Sequence, residues 1–268
     1  MLEAFFLPAA PGERFCLAHA PAREPRGAIV YVHPFAEEMH KSRRMAALQA
    51  RLLAARGWLV LQLDLLGCGD SPGDFGEARW DTWSRDVRAG LAWARARTAG
   101  PLALWGLRLG ATLACELAED TALGVERLVL WQPVTSGEQF LAQFLRLRLA
   151  AEMLDGGAAT SASGELRAQL AQGRALEIAG YDLHPHLAAA LERVQLAALR
   201  PAARRIDWIE VAADAAAAVR PGSRRVVELW RAQGLDVRAA SVAGEAFWST
   251  IEISECPALL DATEMALA

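Results

Sequence analysis

The stretch LWGLRLGATLA, residues 104–114, constrains the chain more than any other. Gly106 and Gly110 stand two residues either side of Arg108, with an apolar run before them and a helix-compatible run after. That is the outline of a nucleophile elbow, G-x-S-x-G, in which a strand turns sharply into a helix. The glycines answer a steric demand. The tip residue takes a strained backbone, and bulkier neighbours two positions away would clash where strand meets helix. At the tip, where Ser, Cys or Asp is expected, the chain has arginine.

The flanking sequence supplies a sheet for this corner. AIVYVHP, 28–34, is a continuous apolar run stopped by proline, as suits a strand buried on both faces of a parallel sheet. A helix is predicted over 42–56, closed by Gly57, then a strand over 58–64 that ends in the loop LLGCGDSPGDFG. Residues 80–97 have helical period, with Trp83, Val87, Leu91 and Ala94 on one side. Strand 102–105, helix 109–119 and strand 125–133 follow. This β-α-β-α-β series with short turns predicts the α/β class, a mostly parallel central sheet with helices on both faces.

Ahead of it, residues 2–7 and 14–19 flank Pro11-Gly12 and read as a β-hairpin. From 135 to 203 the pattern becomes helical, broken by GGAATSASG and by AGYDLHP, with no strong strand. A helical cap inserted over the carboxyl ends of the strands is the simplest placement. The sheet resumes at 205–212, with a helix over 221–233, a strand over 235–244 and a last segment beyond. The expected division is a core of 1–134 and 204–268 with a cap insertion of 135–203.

Composition narrows the function classes. A chain of 268 residues, 53% hydrophobic, is large enough for a substantial core and is not mainly disordered. A net charge of −4 and a pI near 5.8 call for neither nucleic acid nor an anionic membrane. No uninterrupted apolar run approaches the roughly 20 residues that span a bilayer, and MLEAFFLPAAPGERF, broken by prolines, does not read as a signal peptide. Cys16, Cys68, Cys115 and Cys256 form no C-x-x-C pair, so a reducing cytoplasm is the expected location. No cofactor motif and no metal cluster stand out. His184 and His186 are paired in LHPH without a third ligand, which reads as a solvated helix start.

The chain resembles proteins of the α/β-hydrolase fold. More closely, it resembles the second of two hydrolase-like families found with the exosortase A, PEP-CTERM protein-sorting system of Gram-negative bacteria. The residues that carry the likeness are HPFAEEMHKSRRM at 33–45, DLLGCGDSPGDF at 64–75, LWGLRLGA at 104–111, LWQPVTSGEQFL at 130–141 and GEAFWSTIEISECPALLDAT at 244–263. The likeness spans nearly the whole chain. It implies a bacterial esterase or acyl-hydrolase type of protein with a functional link to exosortase and exopolysaccharide production.

The residues themselves argue against the usual chemistry of that fold. A guanidinium is protonated at any ordinary pH and does not attack a carbonyl. The histidine base is expected after the last strand, near 244–248, where the chain reads GEAFW. Asp214 lies roughly where the acid should be, in an Ala-rich loop that suits a solvated carboxylate equally well. Cys68 and Ser71, in a G-x-G-x-S loop, are the remaining nucleophile candidates. Cys68 would need a nearby cation or base. Ser71, Ser136 and Ser249 have no evident histidine partner.

What survives is a pocket of changed charge. A helix N-terminus favours an anion, and Arg108 adds a full charge and a planar fork suited to carboxylate or phosphate. Leu109, Phe35, Trp131 and Trp248 are expected to line this pocket, Trp248 in the place of the missing histidine. Glu37 and Glu38, in the loop after strand 28–32, offer an alternative partner for Arg108 in a structural salt bridge. His33 either lines the pocket or hydrogen-bonds to loop backbone, and the second is favoured for a lone histidine. Three readings therefore stand: a hydrolase with a rearranged site, a binding protein for a small anionic or acyl-bearing ligand, and a structural partner that forms a homodimer through the cap or the sheet edge.

Overall fold

A computed structural model describes residues 1–154 and 163–268. Ten strands and eight helices alternate among the described residues. The hairpin comes first, β1 (Leu2–Pro8) antiparallel to β2 (Glu13–His19). Then follow β3 (Gly27–Val32), α1 (Glu37–Ala55), β4 (Trp58–Leu63), α2 (Trp80–Arg95), β5 (Leu102–Leu107), α3 (Leu109–Leu117) and β6 (Val125–Trp131). After α4 (Gly137–Leu154) and α5 (Ser163–Ala171) come a short antiparallel ribbon, β7 (Leu176–Ile178) and β8 (Tyr181–Leu183), and α6 (Pro185–Arg193). The chain ends with β9 (Arg205–Ala212), α7 (Pro221–Ala232), β10 (Val237–Ala243) and α8 (Pro257–Ala266).

Eight strands form one sheet in the order β1-β2-β4-β3-β5-β6-β9-β10. From β4 to β10 every pairing is parallel; the hairpin joins antiparallel at the edge. Alternation along the strands splits the core in two. Val30, Val32, Leu104, Leu128 and Leu130 face α2, α3 and α7. Ile29, Tyr31, Trp105, Val129 and Trp131 face α1 and α8, where they meet Met45, Leu53 and Leu259. Both faces being covered, the strands can be apolar throughout.

The chain runs from β3 to β4 on one side and from β4 across to β5 on the other, so the strand order reverses between β3 and β5. Loops leaving the carboxyl ends of strands at such a reversal part from one another and leave a crevice. Arg108 follows β5 and Phe35 follows β3, so both stand at its rim.

Two local expectations need correction, and one segment left without a structural reading gains one. α1 starts at Glu37, five residues before the predicted start, so Glu37 and Glu38 form its first turn instead of a loop. Acidic side chains suit that position through the helix dipole, but the cap residue is Ala36 at φ 50, which carries none of the usual capping groups. Residues 176–183 form the ribbon β7–β8, which runs into the AGYDLHP stretch and which a pattern search misses because each strand has three residues. Ala179 and Gly180, at φ 51 and 82, make its two-residue turn. The last segment is the helix α8, begun by Pro257. The small-residue break at 156–164 falls almost wholly outside the described residues.

Candidate functional site

β5 carries Arg108 to the corner, where its backbone sits at φ 55 and ψ −119. The two glycines are demanded by contact. A Cβ on Gly106 would lie 2.4 Å from the Ala111 Cα, and one on Gly110 would lie 2.3 Å from the carbonyl oxygens of Val32 and His33. The Arg108 N–H donates to the Trp131 carbonyl at 2.9 Å, which fixes the tip against β6.

The side chain reaches back to α1. Its Nε donates to Oε1 of Glu38 at 3.0 Å, with the two side chains 14% and 12% exposed. The guanidinium carbon lies 5.9 Å from the centre of the Phe140 ring and 5.6 Å from that of Trp248. Among the described residues, Nη1 and Nη2 of Arg108 take part in no hydrogen bond. The partner is equally unfinished: among the described residues, Oε2 of Glu38 is buried without a hydrogen bond, as is Oε2 of Glu37. Burial therefore outweighs the attraction of Arg108 and pushes the Glu38 carboxyl up to about 7, with Glu37 adding repulsion.

Two adjoining cavities flank Arg108. One, of about 320 Å³, is walled by Phe35, Phe140, Phe144, Leu147 and Trp248, with Glu37 and Glu38 on its α1 side. The other, of about 240 Å³, lies toward α7 and has a polar wall. Phe35 organises the first, meeting Phe140 and Phe144 edge to face.

Of the residues expected at the pocket, Arg108, Phe35, Glu37, Glu38 and Trp248 are brought together. Three others lie elsewhere. Trp131 falls on the opposite face of the sheet by strand alternation, fully buried, its indole donating to Thr263 Oγ1 at 2.8 Å. Leu109 and His33 turn toward Trp80 and Trp83 around a void of only about 10 Å³. His33 is held from both sides: Nδ1 contacts the Pro34 carbonyl at 2.7 Å and Nε2 accepts from the Leu65 N–H at 3.2 Å. Burial drives its pKa below the ordinary imidazole value, so it stays neutral with both nitrogens engaged.

The nucleophile candidates do not meet a base. Cys68 is buried, and burial with the nearby Asp64 and Asp86 pushes its thiol far up, so it holds its proton. The Ser71 hydroxyl donates to the Asp64 carbonyl and accepts from the Phe15 N–H, pinning its loop to β2. Asp214 sits in an exposed turn and accepts from the Ala216 N–H at 2.8 Å. Ser249 donates to the Ala246 carbonyl. His184 caps α6, its Nδ1 accepting from the His186 N–H. Among the described residues no group of three or more His, Cys, Asp or Glu side chains is placed to hold a metal ion.

The polar wall of the second cavity was not legible in the sequence. Gln132, directly after β6, and Arg220, directly before α7, both line it. The only local signals were Pro133 and Pro221, which mark the ends of the neighbouring elements.

A mostly parallel eight-stranded sheet, with a strand–corner–helix at its order reversal and cavities above it, defines an α/β hydrolase. The chain belongs to the family described as serine aminopeptidase, S33, whose model matches residues 23–216. Solved structures agree on the fold. Est1E from Butyrivibrio proteoclasticus, with ferulic acid bound, superposes with a TM-score of 0.73 at 13% identity over 98% of each chain. XC6422 from Xanthomonas campestris, an α/β serine hydrolase without a lid, gives 0.60 at 17% identity over 99% of this chain and 93% of its own. A proline iminopeptidase-related protein from Thermus thermophilus gives 0.63 at 19% identity, over 100% and 97%. No curated protein matches the sequence.

Proposed function

We propose that this α/β-hydrolase-fold protein binds a small anionic, acyl-bearing ligand at Arg108 and does not form an acyl-enzyme at its elbow. The observation that carries the reading is the tip itself. A guanidinium stands where the nucleophile belongs, with two nitrogens that donate no hydrogen bond to the described residues, beside an aromatic cavity. The first turn of α3 adds unpaired N–H groups and the positive end of its dipole. Phe35, Phe140, Phe144 and Trp248 suit the ligand's apolar part, and Glu38 holds the arginine while the site is empty. The segment 135–203 serves as the cap that contributes Phe140 and Phe144.

The setting we propose, on the likeness of the motifs at 33–45, 64–75 and 244–263, is the exosortase A sorting system and exopolysaccharide production, in the cytoplasm. The test pairs binding with a search for catalysis. Octanoate should bind the purified protein, and Arg108→Ala should weaken that binding at least roughly tenfold, the worth of one charge-assisted hydrogen bond. A fluorophosphonate probe and short acyl esters should give neither labelling nor turnover. Turnover abolished by a single substitution would return the chain to the hydrolases that act through a covalent intermediate.

A further inference from the structure

We propose that the ligand's head group is a dianion, a phosphate monoester, held between Arg108 and Arg220 in the polar cavity, with its apolar tail in the aromatic one. The inference rests on the binding reading above and specifies the ligand class.

Arg108 and Arg220 each line both cavities. They are also the N-cap residues of α3 and α7. A cation at the positive end of a helix is unfavourable, and Ser, Thr, Asp or Asn is the usual choice there. Two arginines at two helix starts around one space therefore concentrate positive potential, offset by Glu38 only at Arg108 Nε and by Glu210 only at the Arg220 backbone N–H. Among the described residues, the Arg220 guanidinium takes part in no hydrogen bond or ion pair, while its backbone N–H is tied to Glu210 Oε2 at 2.8 Å. The polar cavity has no acidic side chain in its wall. Glu37 and Glu38 stand only on the aromatic side.

A second observation is independent of the charges. Two side chains in this wall are more than nine-tenths buried and keep unused hydrogen-bonding capacity. Gln132 is 2% exposed, and its Oε1 accepts from the Val211 N–H at 2.8 Å, yet its Nε2 donates to no described residue. Ser223, 4% exposed in the first turn of α7, has a hydroxyl with no partner among the described residues. Neither the amide nitrogen nor the hydroxyl is sealed inside the protein, so both are open to the cavity. Here the unused groups are donors, and they face the same space as both arginines. A phosphate has three terminal oxygens and two charges, enough to accept from two guanidinium groups, an amide and a hydroxyl together. A carboxylate has one charge and two oxygens, and would leave part of the wall unpaired.

The experiment compares octyl phosphate with octanoate by calorimetry at pH 8, on the full chain and on Arg108→Ala, Arg220→Ala and Ser223→Ala. Octyl phosphate should bind roughly tenfold or more tightly than octanoate, as one further charge-assisted contact allows. Arg220→Ala should erase that preference while leaving octanoate nearly unchanged, and Ser223→Ala should reduce it. Arg220 is exposed, so its truncation leaves the fold intact, and Arg220→Gln repeats the test with the stem retained. Equal binding of the two probes, both lost in Arg108→Ala and neither altered in Arg220→Ala, would overturn the phosphate assignment and leave the Arg108 reading standing. Binding of either probe unaffected by Arg108→Ala would overturn both.

Discussion

Glu38 in the first turn of α1 meets Arg108 at the tip after β5, Oε1 to Nε at 3.0 Å, across seventy residues of chain. Each partner uses only part of its capacity. Among the described residues, the arginine keeps two nitrogens without hydrogen bonds and the carboxylate keeps one buried oxygen unpaired. In the binding reading proposed above, an incoming anion would take the place of Glu38 on the arginine side.

That geometry fixes a pH dependence. The Glu38 carboxyl is raised from an ordinary 4.5 to about 7 by burial. A raised pKa contributes stability that is complete below about 4.5 and lost as the pH climbs through 7. Glu38→Gln removes this loss. The stability gained by the variant over the wild type should grow from pH 5 to pH 8, by on the order of 3 kcal/mol for a shift of this size. Urea unfolding at several pH values measures it; a difference that shrinks toward pH 8 would contradict the assignment. The same variant should bind octanoate more tightly at pH 8, because the internal competitor has lost its charge.

Restoring the motif residue should not restore the chemistry. Arg108→Ser recreates G-x-S-x-G, but the aromatic Trp248 lines the cavity beside it and His33 has both ring nitrogens engaged. Labelling of Arg108→Ser by a fluorophosphonate should not exceed that of Arg108→Ala. Labelling at the rate of an active serine hydrolase would show a base that the geometry does not contain.

The corner should tolerate no bulk at its glycines. Gly110→Ala would drive a methyl to 2.3 Å from two backbone oxygens, and Gly106→Ala to 2.4 Å from the Ala111 backbone. Backbone cannot swing aside as a side chain does, so each change should cost about 3 kcal/mol or prevent folding. Chemical denaturation or soluble yield reports this. Gly173→Ala, with no atom within 4 Å of the added Cβ, is the control for space, though its φ of 85 adds strain of its own.

A fully buried ion pair gives a prediction remote from the cavities. Arg14 in β2 and Asp86 in α2 lie 2.8 Å apart, both at 0% exposure, and Asp86 also accepts from the Leu66 N–H. Asp86→Ala should destabilise by about 3–5 kcal/mol, because the guanidinium would remain buried and unpaired. Arg14→Met combined with Asp86→Leu should recover much of the loss. A double variant no more stable than Asp86→Ala would show that the charges themselves hold the hairpin.

How far the sequence could be read follows from which forces act locally. The strands β3, β4 and β5 declare themselves because burial on both faces makes them nearly continuous apolar runs, while β6 and β9 show as apolar stretches interrupted by charged residues. The corner is visible because its glycines obey contact distances within a few residues. The Glu38–Arg108 pair was open as one of two carboxylates, since direction along a helix turn is invisible without its start. Trp131 was misplaced by the same limit: it ends a strand, and only the register against β5 and β9 shows which face it takes. Gln132, Arg220 and Ser223 form a wall only after β6 and β9 pair, and nothing in their local sequence announces that meeting.

The aromatic layer behind the sheet has a consequence for how the chain is made. Tyr31, Trp105 and Trp131 are covered by α1 and by α8, with Thr263 holding the Trp131 indole. A ribosome releases β3, β5 and β6 long before it delivers α8. Until then these rings have lost one of their two roofs, and a nascent chain exposes a sticky aromatic surface to the cell. Synthesis of this protein should therefore lean on chaperones that shelter apolar segments, and release from them should wait on the arrival of the helix that begins at Pro257.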